Sequence, residues 1–142
     1  MRSQRPKPLH LLCGRPLVRY VLDALVDVDA ARAVVVVGHG ADVVVKKLQE
    51  SGPVATGPDG APLRLEFVEQ RVQRGTGDAV GVSLTAFDDM EDDGDIIVVP
   101  GDTPLLRAQT LADLATVHRT SEAAATVLTA EIDDPTGYGR VV

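Results

Sequence analysis

The fold is decided by residues 33–40, which read AVVVVGHG. Five apolar residues, four of them β-branched, follow one another without a polar interruption, and Gly38, His39 and Gly40 end the run. A short continuous apolar run bounded by turn residues is typical of a strand that is buried on both faces. Such strands occur in parallel sheets covered by helices, so the stretch predicts a parallel sheet.

Helices and strands are predicted in alternation on both sides of this run. Pro16 suits a first helical position, and apolar residues recur on one face from Leu17 to Val26. Strand and helix alternation indicates an α/β sheet with right-handed crossovers. The other predicted elements are a helix over 41–50, a surface loop over 56–62, a strand over 63–68, a helix opened by residues 75–77 and running through 87, a strand over 96–99, a helix near 109–120 and a strand near 125–132.

Composition limits the class of protein. A chain of 142 residues, 44% hydrophobic and 25% charged, fits one globular domain. The net charge of -7 argues against a nucleic-acid partner, because phosphate backbones are bound by basic surfaces. Cys13 has no second cysteine to pair with, which fits a reduced cytoplasmic setting. No apolar run approaches the roughly 18 residues of a membrane span, so no membrane partner is predicted.

Both ends of the chain are predicted to be incomplete. Residues 137–142 form a turn followed by apolar residues, as at the start of a strand. At the other end a Pro-Lys-Pro loop leads into a helix, whereas a doubly wound sheet usually begins with a strand and a phosphate-binding loop. Residues 1–142 are therefore expected to form part of a domain that lacks its first strand and its C-terminal part.

Asp102 is a candidate metal ligand. It follows the predicted strand over 96–99, and the carboxyl ends of strands in open parallel sheets face the ligand crevice. Carboxylate oxygens there can hold Mg²⁺, and Gly101 lets backbone approach a ligand. The alternative is that Asp102, Thr103 and Pro104 only cap a turn or a helix.

A glycine-rich turn and two glutamines form a second candidate site. Gly75, Thr76 and Gly77 stand between a strand and a helix, where amide groups and the helix N-terminus can face an anion or a base edge. Gln70 and Gln73 offer donor and acceptor together, which matches a pyrimidine edge. The turn matches neither a dinucleotide fingerprint nor a P-loop, and its glycines also suit an ordinary tight turn.

Lys7 is a candidate phosphate contact. It stands between two prolines, which stiffen the backbone and direct its ammonium group consistently. The alternative is an ordinary solvated lysine.

Five segments in order carry a family resemblance: residues 6–10 (PKPLH), 37–40 (VGHG), 70–77 (QRVQRGTG), 101–105 (GDTPL) and 133–140 (DDPTGYGR). Together they resemble the N-acetylglucosamine-1-phosphate uridylyltransferase family, whose members also carry a glucosamine-1-phosphate acetyltransferase half. The match spans nearly the whole chain, and PTGYGR is its most family-specific part. Other sugar-nucleotide pyrophosphorylases share the Gly-Asp turn but less of the rest.

The resemblance implies a reaction and a role for each matching residue. A phosphate oxygen of N-acetylglucosamine 1-phosphate attacks the α-phosphorus of UTP, pyrophosphate leaves, and UDP-N-acetylglucosamine forms for the cell envelope. Mg²⁺ bridges the phosphates in such chemistry. The implied roles are Mg²⁺ ligand for Asp102, catalytic phosphate contact for Lys7, uracil contacts for Gln70, Gly75 and Thr76, nucleotide-site lining for Gln73 and Gly101, and sugar contact for Gly139.

The chain also departs from the family pattern. The family's opening strand and its Gly-x-Gly-Thr-x-Met loop are expected upstream, and Asp78 stands where the resemblance predicts histidine. We therefore expect part of a Rossmann-like nucleotidyltransferase sheet with helices on both faces, from a homo-oligomeric parent enzyme, and no turnover by these 142 residues alone. The alternatives are a non-catalytic remnant that binds nucleotide or a partner protein, and a transferase for CTP or dTTP, which PTGYGR disfavours.

Overall fold

The computed structural model describes residues 5–52, 60, 62–87, 94–134, 136–137 and 139. Helices and strands alternate through most of this part of the chain, which confirms the predicted α/β class. In chain order the elements are a 3₁₀ turn (Lys7–Leu9), β1 (Leu11–Leu12), β2 (Arg15–Pro16), α1 (Leu17–Val26), β3 (Arg32–Val37), α2 (Ala41–Glu50), β4 (Arg64–Glu69), α3 (Thr76–Ser83), a second 3₁₀ turn (Leu84–Ala86) and α4 (Ala108–Thr120).

The valine-rich run forms β3 and pairs with β4 in parallel. The register aligns Ala33 with Leu65 and Val37 with Glu69, and one further bond runs from the Gln70 amide to the Val37 carbonyl at 2.8 Å. The predicted parallel pairing is confirmed. Burial is less complete than the sequence indicates, because Ala33 and Val37 are buried while the three valines between them are half-buried.

The core lies between α1, β3 and α2. Helix α1 buries seven of its ten residues, among them Arg19, whose guanidinium donates to the Gly52 carbonyl at 2.7 Å. Desolvation by burial lowers the pKa of Arg19 from its ordinary value. The two most deeply buried large side chains are Leu48 of α2 and Leu111 of α4. Leu111 anchors the later part of the chain to this core.

A hairpin precedes α1 where the sequence indicated the start of the helix. Leu11 pairs with Pro16 and Leu12 with Arg15 in antiparallel register. The two turn residues, Cys13 and Gly14, have φ values of 49° and 80°, as a two-residue hairpin of right-handed twist requires. Pro16 was wrongly predicted as the first helical residue, since it is the N-cap that precedes Leu17.

Two predicted strands are absent from the described residues. Neither 96–99 nor 125–132 bonds to a neighbouring strand, and an apolar run without a ladder partner is not a strand. Ile96 and Val98 are exposed, whereas Ile97 and Val99 pack against the core. The helix predicted to reach residue 87 also ends early, because α3 stops at Ser83 and a 3₁₀ turn follows.

Some predictions fall on residues outside the described ranges. These are most of the surface loop over 56–62 and the start of a strand at the C-terminus. Within the described ranges, no helix combines the length and the apolar character needed to cross a membrane.

Candidate functional site

The candidate site lies at the carboxyl ends of β3 and β4. Parallel pairing brings the Gly38–Gly40 turn after β3 beside the 70–75 segment after β4. A Cβ added to Gly38 would lie 2.8 Å from Gln73 Nε2, so the Gln73 amide occupies the space that a side chain there would fill. Strand pairing thus places one of the predicted glutamines directly over the end of β3.

Gln70 is held by two hydrogen bonds within the same segment. Its Nε2 donates to Asp78 Oδ2 at 2.7 Å and to the Gly75 carbonyl at 3.2 Å. Gly75 has a φ of 103° and a ψ of -178°, a conformation that only glycine adopts readily. The glycine therefore turns the chain back so that the start of α3 reaches Gln70.

The first turn of α3 contains Thr76, Gly77 and Asp78. Gly75, the N-cap residue, offers no side-chain oxygen to these amides, and Thr76 is exposed. Uncapped amide groups at a helix N-terminus favour negatively charged or carbonyl oxygen partners. The arrangement suits either the adjacent Asp78 carboxylate or an oxygen-bearing ligand.

Lys7 and Asp102 meet as an ion pair at the same edge of the molecule. The Lys7 side chain is 72% exposed and the Asp102 side chain 25% exposed. Neighbouring contacts connect this pair to the rest of the edge: a Cβ on Gly40 would lie 3.2 Å from Pro6 Cγ, and one on Gly101 would lie 3.9 Å from Val18 Cγ2. The Pro-Lys-Pro loop thus lies between the turn after β3 and the Gly-Asp turn.

Gly139 is not brought to the other candidates by any contact in the described part of the chain. It is exposed, and an added Cβ would meet no atom within 4 Å. Nearby, the Thr136 amide donates to Asp134 Oδ1 at 3.0 Å, and hydrogen bonding from Thr136 lowers the pKa of Asp134. This segment is a local turn, and Pro135, Tyr138 and Arg140 lie outside the described residues.

Sequence reasoning did not identify Asp78 as the partner of Gln70. Asp78 was noted only as a departure from the family pattern. An available signal was its place in the first turn of a helix that follows a glycine of unusual conformation. In the structure it is the acceptor of the shortest hydrogen bond that Gln70 donates.

The donor set at Asp102 fits a magnesium ion that is shared with a ligand. No group of three or more metal-binding side chains occurs among the described residues, so a cage made wholly of protein is not present there. Mg²⁺ usually takes one or two carboxylates and fills its remaining positions with water and phosphate oxygens. One half-buried carboxylate beside an exposed lysine ammonium group meets that requirement.

Comparison with known proteins gives one family and a consistent set of relatives. The family described as MobA-like NTP transferase domain matches residues 1–140. The "Bifunctional protein GlmU" of Thermobifida fusca is 41% identical over all of this chain, that of Thermosynechococcus vestitus 45%, and that of Streptomyces coelicolor 46%. The chain spans 28%, 29% and 27% of these relatives. These matches confirm the resemblance that the five segments indicated, and with it the Rossmann-like nucleotidyltransferase fold.

Proposed function

The chain belongs to the MobA-like NTP transferase domain family, and from this premise we propose that it is the UTP-binding portion of an N-acetylglucosamine-1-phosphate uridylyltransferase. Similarity to bifunctional GlmU proteins along the whole chain supports the choice among nucleotidyltransferases. The reaction joins N-acetylglucosamine 1-phosphate to the uridylyl group of UTP and releases pyrophosphate. The proposed parent enzyme is cytoplasmic and homo-oligomeric, and it supplies UDP-N-acetylglucosamine for peptidoglycan synthesis.

The base half of the proposed site consists of Gln70, Gly75, Thr76 and Asp78. Gln70 follows β4 directly and its backbone continues the parallel ladder, so its position is fixed by the sheet. Its side-chain amide is fixed by the bonds to Asp78 and Gly75. A fixed amide beside glycine backbone can read the edge of a uracil, because base recognition depends on donors and acceptors at set positions.

The phosphate half of the proposed site consists of Lys7, Gly101 and Asp102. Lys7 contacts a phosphate oxygen of the bound nucleotide, and Asp102 offers an anionic oxygen to the metal. Asp102 would hold Mg²⁺ there, and the ion would supply positive charge to stabilise the negative charge that develops on the leaving pyrophosphate. In the structure the two side chains neutralise each other. Ligand binding would break this ion pair, leaving Lys7 to contact the phosphate and Asp102 to hold the metal.

The remaining residues position substrates. Gln73, which lies over Gly38 at the end of β3, lines the nucleotide site between the two halves. Gly139 contacts the sugar in the proposed assignment. Phosphoryl transfer of this kind depends on alignment of the attacking oxygen with the leaving group. Holding the reactants in that geometry can lower the activation barrier by roughly 7 to 11 kcal/mol.

One observation carries the proposal: the Lys7–Asp102 ion pair. Two residues distant in sequence, assigned separately to phosphate and to metal, meet at the sheet edge where Gln70 and Gln73 also lie. In open α/β sheets that edge is where ligands bind.

The test is a calorimetric titration of the chain with UTP and with CTP, each in Mg²⁺. We expect saturable UTP binding that is tighter than CTP binding. Gln70→Ala should weaken UTP binding by about 1 to 3 kcal/mol, because polar groups on the uracil edge lose their hydrogen-bond partner. The preference for UTP over CTP should therefore become smaller.

Gln109→Ala is the matched control. Gln109 lies on α4 and also donates from Nε2 to an aspartate, Asp113, at 2.8 Å, but it is outside the proposed site. Its loss should leave both titrations unchanged. Absence of UTP binding by the unaltered chain, or equal effects of the two glutamine variants, would contradict the proposal.

A further inference from the structure

The polar neighbours of the Gln70 side-chain amide allow only one orientation of that amide. Both of its nearest polar partners, Asp78 Oδ2 and the Gly75 carbonyl oxygen, are acceptors. The amide NH₂ must therefore face them, because a reversed amide would place its oxygen 2.7 Å from a carboxylate oxygen. Asp78 contributes the shorter and charged bond of the two.

This arrangement uses both N–H groups of the Gln70 side chain. Among the described residues, no group donates to Gln70 Oε1, which remains as the free polar atom of the amide. An amide held in this way no longer offers a mixed donor and acceptor pattern. It presents an acceptor alone.

We propose that Asp78 is a specificity-determining residue that acts through Gln70. By holding the NH₂ inward, Asp78 makes the outward atom an oxygen, which accepts a hydrogen bond from the N3–H of a uracil ring. The corresponding ring nitrogen of cytosine carries no hydrogen and is itself an acceptor, so the two acceptors repel. This inference rests on the proposed function, since it requires Gln70 to face the base.

Local structure gives Asp78 the means to hold this position. It lies in the first turn of α3, where a carboxylate interacts favourably with the helix dipole. Gln70 and Asp78 are both half-buried, which strengthens a hydrogen bond relative to one at a fully solvated surface. Asp78 therefore acts as a positioning residue without touching the base.

The experiment compares Asp78→Asn and Asp78→Ala with the unaltered chain. Asparagine keeps the shape of aspartate but can present either an oxygen or an NH₂ to Gln70, so the amide is free to reverse. We expect the ratio of CTP to UTP dissociation constants, measured by calorimetry in Mg²⁺, to fall about three- to tenfold in both variants. Asp113→Asn, which alters the similar pair on α4, should leave the ratio unchanged.

A second measurement separates an orientation effect from a general loss of structure. In ¹⁵N-labelled chain without nucleotide, Asp78→Asn should shift the side-chain NH₂ resonances of Gln70 and leave those of Gln109 in place. Unchanged Gln70 resonances, or an unchanged nucleotide ratio when UTP still binds, would overturn the role of Asp78 alone. Failure of the unaltered chain to bind UTP would overturn the proposed function and this inference together.

Discussion

The base half and the phosphate half of the proposed site are built in different ways. The base half follows a strand with a hydrogen-bonded neighbour, and the Gln70 backbone extends that ladder to Val37 at 2.8 Å. The phosphate half follows residues 96–99, which bond to no strand in the described part of the chain. It is held by the ion pair of Lys7 with Asp102.

This difference distinguishes a half held by hydrogen bonds from a half held by an ion pair. The bonds from Gln70 to Asp78 and Gly75 involve protein groups alone, so the chain itself fixes the base half. Exposed ion pairs contribute only about 0 to 1 kcal/mol, and Lys7 is mostly exposed. Under the proposed function, the phosphate half would therefore lose its ion pair at little cost on ligand binding.

The largest predicted effect concerns the metal. Asp102→Asn should weaken binding of the Mg²⁺–UTP complex by about 10- to 100-fold, since even indirect metal partners contribute that much. The free energy of unfolding should change by less than about 1 kcal/mol, because Lys7, the partner that Asp102 loses, is 72% exposed and such a pair contributes little. Calorimetry gives the first quantity and urea denaturation the second.

Glu50→Gln is a suitable control for the loss of charge. Glu50 forms a surface pair with Lys46 at 3.9 Å on α2, away from the site. Its variant should bind the Mg²⁺–UTP complex normally. If the Asp102→Asn chain binds the Mg²⁺–UTP complex with the same affinity as this control, Asp102 is not a metal ligand.

The next prediction compares β3, the strand paired beside the base half, with residues 96–99, which precede the phosphate half. Val37→Ala, at a side chain 6% exposed, should lower the free energy of unfolding by about 2 kcal/mol through lost burial and an incompletely filled space. Val98→Ala, at a side chain 54% exposed, should change it by no more than about 0.5 kcal/mol. Urea denaturation measures both, and equal costs would mean that the two segments are packed alike.

The smallest predicted effect concerns Lys7, and it differs in sign between two ligands. Lys7→Met removes the cation that neutralises Asp102, so Mn²⁺ binding without nucleotide should tighten by about two- to fivefold. UTP binding in Mg²⁺ should weaken, because a phosphate contact is lost. Electron paramagnetic resonance of free Mn²⁺ and calorimetry of UTP measure the two changes. Weakening of both would mean that Lys7 does not compete with metal for Asp102.

The part of the fold formed by β3 and α2 was predictable from the sequence. Helix α2 has the predicted bounds, because its apolar spacing is clear and Gly40 supplies the left-handed conformation that starts it. The valine-rich run identified β3 because consecutive β-branched residues favour a pleated, buried backbone. Both signals are local, so a single stretch of sequence contains them.

The errors arose where structure depends on a distant partner or where a local pattern fits two structures. Residues 96–99 have the composition of a strand, but a ladder also requires a neighbour that composition does not specify. The hairpin before α1 was missed because Pro16 has a φ suited both to a strand end and to a first helical turn.

The candidate site shows the same division between local and distant signals. Gln70, Gly75 and Thr76 were identified together because they are near one another in sequence. The bond from Gln70 to Asp78 depends on the chain reversal at Gly75. No periodic pattern in the sequence indicates the φ of 103° at that glycine. The meeting of Lys7 with Asp102 depends on the whole fold, and the roles assigned to the site residues stay predictions.

A nuclear magnetic resonance titration of the ¹⁵N-labelled chain with UTP in Mg²⁺ tests the proposed site most directly. We expect the largest amide shift changes at Gly38, Gly75 and Gly101, which lie at the carboxyl edge in both halves. Amides at Thr120 and Thr126 should change little, because the end of α4 lies beside Asp95, at the amino end of the 96–99 segment, and Thr126 contacts His118 of that end. No saturable change, or changes concentrated on residues 120–132, would contradict a UTP site at the ends of β3 and β4.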